Sequence, residues 1–510
     1  ALTSNDNKLI EKQFINSSLN KNLIKKLKII LKNISFPLAV RSSGLLEDSQ
    51  YNPFAGMYST FMLPNSNKSI KIRLEHLCEA VKRIYASTFF KESKSLMDSV
   101  NHRYEEEKMA IILMELIGSK HNNKFYPTIS GVFQSYNYYP VSYMDRKDGI
   151  GFLALGLGKT IAEGGKSLRF CPKYPNILPQ FYSVKSSINS SQNSFFALEI
   201  NENKNPIKDG ESKNLKEFNL DIAEQDNQLN YIASVITDND NIVRDSLKYN
   251  GIRILTFAPI LKFNYFPLSK ILQKISKAGS RLVGAPIEIE FAINLNESEN
   301  VFSLLQIKPM PVESSNDKLN LNQITELNNE FCFSKQTLGN GIQSNISHII
   351  YINIDDFKRE KTKEISEIIG KFNQKLGSKN SYVLMGPGRW GSLDPWLGIP
   401  IDWEQITNAK SIIEIGIDSF NPDPSFGSHF FQNLTSLRIG YFTIEKKLYK
   451  NNIDWNWLKK QKHIYTEDCV NVVKLNEPLH IKLDGINGQG IMYKNNKKNE
   501  SMNEEESTGI

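Results

Sequence analysis

Between Ile287 and Lys308 the chain alternates apolar and polar residues in two short runs, "IEIEFAI" and "VFSLLQIK", with a polar segment between them. Side chains of a strand switch faces at every residue, so Ile287, Ile289 and Phe291 share one face and Glu288, Glu290 and Ala292 the other. In the second run Val301, Ser303, Leu305 and Ile307 share a face, with Phe302, Leu304, Gln306 and Lys308 opposite. The segment from Asn294 to Asn300 is too polar to bury and reads as a turn, which makes the whole a hairpin. Pairing of its strands brings Glu288, Glu290, Gln306 and Lys308 onto one surface. Alternating charge of this kind fits a solvated sheet face. Hard oxygen donors beside a cation also fit a magnesium-bound polyphosphate, and pattern alone leaves both open.

The same reading applied to the rest of the chain predicts a mixed α/β protein. Leu23, Ile24, Leu27, Ile30 and Leu31 recur at helical spacing, so residues 1–35 read as a helical lead-in, taken as the end of a truncated region. Short strand-like and helical runs fill 36–311, interrupted by a polar stretch over 186–228 that reads as a surface insertion. A polar linker is expected over 312–323. Beyond it "HIIYINIDDF", "SYVLMGPGRWGS" and "SIIEIGIDSF" predict a separate, smaller α/β domain over 324–486. The end, "NNKKNESMNEEESTGI", is nearly free of apolar side chains, and residues 487–510 read as a disordered tail.

Composition narrows the function classes. A chain of 510 residues with 40% hydrophobic and 23% charged residues fits a soluble globular protein of several domains. Its net charge of +7 is small for its length and is not gathered into basic runs, so nucleic acid is not an expected partner. Four cysteines, Cys78, Cys171, Cys332 and Cys469, lie far apart, which argues against a zinc site or a disulfide framework. No apolar run is long enough to span a membrane and the first residues are polar, so a cytoplasmic location is the expectation.

Several other stretches carry candidate chemistry. "FPLAVRSSGLLEDSQYNPFAGMYSTF" begins as a strand and runs into a loop of hydroxyls, acids and small residues. An arginine ending a buried strand must be paired or serve a ligand. Arg41 suits phosphate oxygens, with Gly56, Ser59 and Thr60 as loop donors; pairing with Glu47 or Asp48 is the structural alternative. The strand before Glu115, Leu116 and Ile117 ends where backbone groups can meet a planar purine, although by itself it is a core strand. Gly156, Gly158, Gly164 and Gly165 beside Lys159 and Lys166 form neither a dinucleotide nor a P-loop motif. In "GSHFFQNLTS" His429 has the form of a phosphoryl acceptor, whereas Phe430 and Phe431 suggest a packed helix start capped by Ser428. Gly386, Gly388, Arg389 and Gly391 form either an anion nest or a turn packed by Trp390 and Trp396.

Taken in order, "AVRSSGLLED", "FAGMYST", "MELI", "SGV", "GLG", "PIEIEFA" and "LLQIKP" resemble the N-terminal nucleotide-binding domain of phosphoenolpyruvate synthases and pyruvate phosphate dikinases, an ATP-grasp-type fold. The whole chain, with "GPGRWGSLDPWLGIP" and "GSHFFQNLTS", resembles a bacterial group described only as PEP/pyruvate-binding-domain proteins. The resemblance implies ATP and Mg2+ as ligands, with Glu290 and Gln306 on the metal and Glu288 nearby. It implies that Arg41 and Lys308 act on the phosphates and that Glu115, Leu116 and Ile117 form an adenine hinge. Chemistry would pass through a phosphohistidine on another domain or partner, leaving AMP and phosphate. Two departures bear on this. Lys308 stands where the family normally has arginine, and neither the family's glycine-rich lysine segment nor its phosphohistidine motif is matched. A catalytically incomplete nucleotide sensor or scaffold is therefore the rival expectation to a phosphotransferase module.

Overall fold

The computed structural model describes residues 3–47, 54–100, 102–141, 144–200, 207, 215–296, 298–310, 329–392, 397–417 and 428–494. The expected linker over 312–323, Asp48, Trp396 and the last sixteen or so residues of the expected tail lie outside these. The chain divides into two compact units. One is Ala1–Val312 together with Gly427–Gln432; the other is Glu313–Phe426 with Asn433–Ile510.

The first unit begins with α1 (Asn7–Asn16), capped by the Asp6 carboxylate, and α2 (Lys21–Asn33), capped by the Asn20 side chain. Of the apolar stripe on α2, Leu27 and Leu31 are buried while Leu23 and Ile30 stay exposed. Strand β1 (Leu38–Gly44) lies between β2 (Phe61–Leu63) and β3 (Met109–Glu115), antiparallel to both. Leu38 and Val40 pack with Leu27 and Leu31 of α2 and with Leu77, Val81 and Ile84 of α3 (Ile70–Ser87). Strand alternation then sends Arg41 to the opposite face, the one on which Ala39 joins a second core.

That second core lies under an antiparallel sheet built from β4 (Ile129–Gln134), β5 (Ile150–Ala154), β6 (Leu168–Phe170), β7 (Ile287–Leu295) and β8 (Asn300–Pro309), in the order β8-β7-β4-β5-β6. Helix α4 (Leu268–Val283) buries Leu268 and Leu272 in the same core and ends at Gly284, which takes the left-handed conformation that closes helices. Gly131 on β4 faces Phe291 on β7. A Cβ there would meet the phenyl ring at 2.1 Å, so the "SGV" motif serves close packing of strand on strand.

The expected hairpin is β7 and β8, whose strands run to Leu295 and from Asn300, further into the expected turn. Its register pairs Glu288 with Lys308 and Glu290 with Gln306. One part of the alternation fails. A bulge passes the register from Glu290–Gln306 to Phe291–Leu304, and the skipped Leu305 reverses the phase beyond it. Phe302 therefore lies opposite Ile293 and stacks on Phe291, ring centroids 5.3 Å apart, rather than sharing the face of Gln306.

The polar stretch over 186–228 is not a simple surface insertion. Ser194–Glu199 and Leu215–Asn219 are paired strands, Leu220–Gln225 is a helix, and Phe195, Ala197, Leu198 and Ala223 are core residues. The consecutive apolar residues Phe195 to Leu198 supply most of the packing, and the strand Ser194–Glu199 is anchored on Lys124–Tyr126.

In the second unit a mixed sheet has at its centre β10 (Asn340–Ile352), β11 (Tyr382–Pro387), β12 (Ala409–Ile415) and β13 (Gly440–Ile444), running parallel, with α5 (Thr362–Leu376) as the crossover after β10. On its other side lie β14 (Val470–Asp484), β15 (Gln489–Lys494) and, beyond them, β9 (Glu330–Ser334). The expected tail thus starts too early. Gln489–Lys494 is paired on both edges, with Ile491 and Met492 fully buried, because two neighbouring strands satisfy its backbone despite polar flanks. Among the described residues, no helix is long and apolar enough to cross a membrane.

Candidate functional site

Arg41 joins two of the sheets of the first unit. Its Nη1 donates to Glu290 Oε2 at 3.3 Å and its Nη2 to Gln306 Oε1 at 3.0 Å. Glu47 instead accepts from Ser42 Oγ at 2.7 Å. The guanidinium fork thus marks a point on which the Glu290 carboxylate and the Gln306 amide oxygen converge. Both are hard oxygen donors, the kind a magnesium ion takes, and the geometry already aims them at one cation. The donor set fits such an ion, with Glu288 beside it.

Glu288 is buried, and two amides hold it. Gln134 Nε2 donates to its Oε2 at 2.8 Å from the adjoining strand, and Gln432 Nε2 donates to its Oε1. Burial pushes the Glu288 carboxyl up to about 7, with the negative charge of Glu290 adding to the rise against Gln134 and Lys308. Burial would raise Glu290 as well, but the charges of Lys308 and Arg41 overcome it and hold this carboxyl below its ordinary value. Two carboxylates one pleat apart are therefore driven in opposite directions, one kept ionised beside the cations and one poised to carry a proton.

The loop after β1 supplies Gly56, with φ +68. A Cβ there would lie 2.4 Å from Nδ1 of His429, so only glycine accepts both the backbone conformation and the imidazole. His429 opens helix α6 (His429–Ser436), where Ser428 Oγ accepts from the Phe431 amide at 3.3 Å as expected for a cap. Phe431 is buried and meets the Tyr138 ring edge-on at 5.8 Å. Burial and the charge of Lys308 push the His429 imidazole down to about 4, with Arg41 adding and Glu290 opposing. Packing and proximity to the charged cluster are thus both present at His429. Sequence reasoning left this residue between two readings and missed Gln134 and Gln432 altogether. Gln134, an amide ending an apolar strand, was a signal; Gln432 carried none.

The remaining expected residues are distributed as follows. The Ser59 amide is bound to Ser87 Oγ at 3.1 Å, while Thr60 is half-buried next to it. Glu115 pairs with Leu38, three residues along β1 from Arg41, which is about 10 Å at the rise of a strand. The Leu116 amide is bound to the Pro37 carbonyl at 2.8 Å, so a hinge here would use the groups of Glu115 and Ile117 instead. Lys159 pairs with Glu163 at 3.4 Å. In the second unit Trp390 is fully buried, with its amide on Glu414 at 3.0 Å and its indole on the Ile413 carbonyl at 3.3 Å, the packed-turn arrangement.

The mixed α/β fold of the first unit is of the ATP-grasp-like class. The family described as "Pyruvate phosphate dikinase, AMP/ATP-binding domain" matches residues 2–329, and the chain belongs to it. Its domain is of the ATP-binding, phosphotransferase type. The chain is also similar to the "Uncharacterized phosphotransferase YvkC" of Bacillus subtilis (strain 168), with 31% identity over 163 residues. That stretch is 32% of this chain and 16% of the relative, so the chain spans a small part of that protein's length.

Proposed function

We propose that the first unit binds MgATP and transfers a phosphoryl group from it. The observation that carries this reading is the convergence of Arg41, Glu290, Gln306 and Lys308 from two sheets. Glu290 and Gln306 would hold the ion, and Glu288 would stand behind them. Bound magnesium neutralises charge on the phosphates. The Arg41 fork, released from its two oxygens, and the Lys308 ammonium would pair with phosphate oxygens and stabilise charge on the migrating group. Gly56 and the hydroxyls of Ser59 and Thr60 would serve as loop donors, and Glu115 to Ile117 would take the adenine. Among the described residues no group of three or more histidine, cysteine or acidic side chains could hold a metal. An ion here would thus draw most of its ligands from phosphate and water, the usual habit of magnesium.

A second reading, a nucleotide sensor that binds without turnover, is favoured by Lys308, a point charge where a bidentate fork would grip phosphate better. Phosphorus NMR of the purified chain with ATP and magnesium over several hours separates the two. Loss of ATP signals with growth of product signals supports transfer. Broadened but unchanging ATP signals support the sensor. Sharp, unaltered ATP signals refute both.

A further inference from the structure

Helix α4 has three faces. Leu268, Leu272 and Gly279 are buried along the first. At 100° per residue, Lys270, Lys274, Lys277 and Arg281 fall on a second, a stripe about 60° wide, and the helix contains no acidic residue to balance them. Between the two runs a row of short polar side chains, Gln273, Ser276 and Ser280, which lines a cavity of about 650 Å³. Phe133, Ser135 and Tyr136 line it from the end of β4, and Lys147, Asp148 and Lys173 from the turn Arg146–Asp148 and the loop after β6. Cross-links hold these walls together: Gln273 Nε2 donates to the Pro172 carbonyl at 2.7 Å, and Ser135 Oγ accepts from the Ile287 amide at 2.7 Å. Gln134 meets Glu288 on one face of the sheet, so its neighbour Phe133 turns to the other, where Gly279 of α4 lies against Ile287. The cavity is therefore on the face of the sheet away from Glu288 and Glu290.

The one carboxylate in the cavity is already engaged. Asp148 Oδ1 accepts from Lys173 Nζ and its Oδ2 from the Asp145 amide, each at 2.9 Å. Lys147 and Lys277 pair with no carboxylate among the described residues, and both are exposed. Two unbalanced ammonium groups thus share a cavity with hydroxyls. We propose that this cavity binds a small phosphorylated polyol of the sugar phosphate class. Lys147 and Lys277 take the phosphate oxygens as point charges, which suits a ligand that enters from solvent and leaves again. The hydroxyls of Ser276 and Ser280 meet those of the polyol body, and Gln273, its amide nitrogen committed to Pro172, presents a carbonyl oxygen that accepts from them. The volume is of the size that holds such a molecule. This site goes beyond the MgATP reading, since it uses none of Arg41, Glu290, Gln306 and Lys308.

The test titrates the full chain by calorimetry with glucose 6-phosphate and, separately, with inorganic phosphate. The expected result is saturable binding of glucose 6-phosphate, roughly tenfold tighter than phosphate because the polyol adds hydrogen bonds, with slower hydrogen exchange in the peptide covering residues 268–283. Lys147→Gln combined with Lys277→Gln changes two exposed side chains and leaves the core intact; it should weaken glucose 6-phosphate by roughly tenfold or more. Arg41→Ala should still bind it. No binding by the parent overturns the site, and equal affinity for the two probes overturns the polyol class. Affinity undiminished in the double lysine variant, or lost in Arg41→Ala, places the phosphate elsewhere and overturns the proposal as well. None of these outcomes bears on the MgATP site, which its own titrations test.

Discussion

The Arg41 guanidinium reaches from one sheet to the Glu290 carboxylate on another, Nη1 to Oε2 at 3.3 Å. The two residues are 249 positions apart in the chain, and their contact brings β1 to the Glu290 and Gln306 oxygens of the β7–β8 hairpin.

Arg41→Ala removes the fork while leaving the apolar face of β1 untouched. A hydrogen bond to a charged group is worth about 1.5–3 kcal/mol, so MgATP affinity should fall by roughly tenfold to a hundredfold. Isothermal titration calorimetry reads this directly; the tryptophans all lie beyond residue 312 and their fluorescence is a poor monitor of the first unit. Unchanged affinity removes Arg41 from the phosphate site.

Glu290→Ala and Gln306→Ala should each reduce the gain in ATP affinity that magnesium confers, with little change in affinity measured in EDTA. Titrations with and without the ion separate the two effects. If the magnesium increment is equal in both variants and in the parent, the metal assignment is wrong.

Glu288 makes fold stability depend on pH. Its carboxyl ordinarily titrates near 4.5 and is raised to about 7 in the folded chain. The folded state therefore holds the proton more tightly, and the stabilisation is fully present below pH 4.5 and lost as pH rises through 7. Glu288→Gln abolishes this dependence, gaining on the parent by on the order of 3 kcal/mol between pH 4.5 and pH 8. Hydrogen exchange in the peptide covering residues 287–295 measures it; a difference that is flat with pH contradicts the buried, raised carboxyl.

Gly131→Ala places a methyl group against the Phe291 ring, and overpacking of this kind costs about 1–3 kcal/mol. Faster exchange of β4 and β7 amides is the expected signature. A variant as protected as the parent shows that the ring moves aside freely.

Period-two alternation was enough to read the hairpin from the sequence and to bring Glu288, Glu290, Gln306 and Lys308 onto one surface, because neighbours on a strand fix one another's faces; the register that sets Glu288 by Lys308 and Glu290 by Gln306 came from the pairing of the strands. Ordered motifs were enough to recognise the family. What the sequence could not convey depended on partners distant along the chain. The skipped Leu305 reversed the phase of Phe302, since a bulge is a property of the pair of strands and not of either alone. The strands Gln489–Lys494 and Leu215–Asn219 look too polar in isolation, yet neighbouring strands satisfy their backbones and bury their few apolar residues. The partners of Arg41, and the return of residues 428–432 to the glutamate cluster, were decided by tertiary structure alone. Side-chain periodicity reports which way a residue points, whereas what it meets there is set by chain topology.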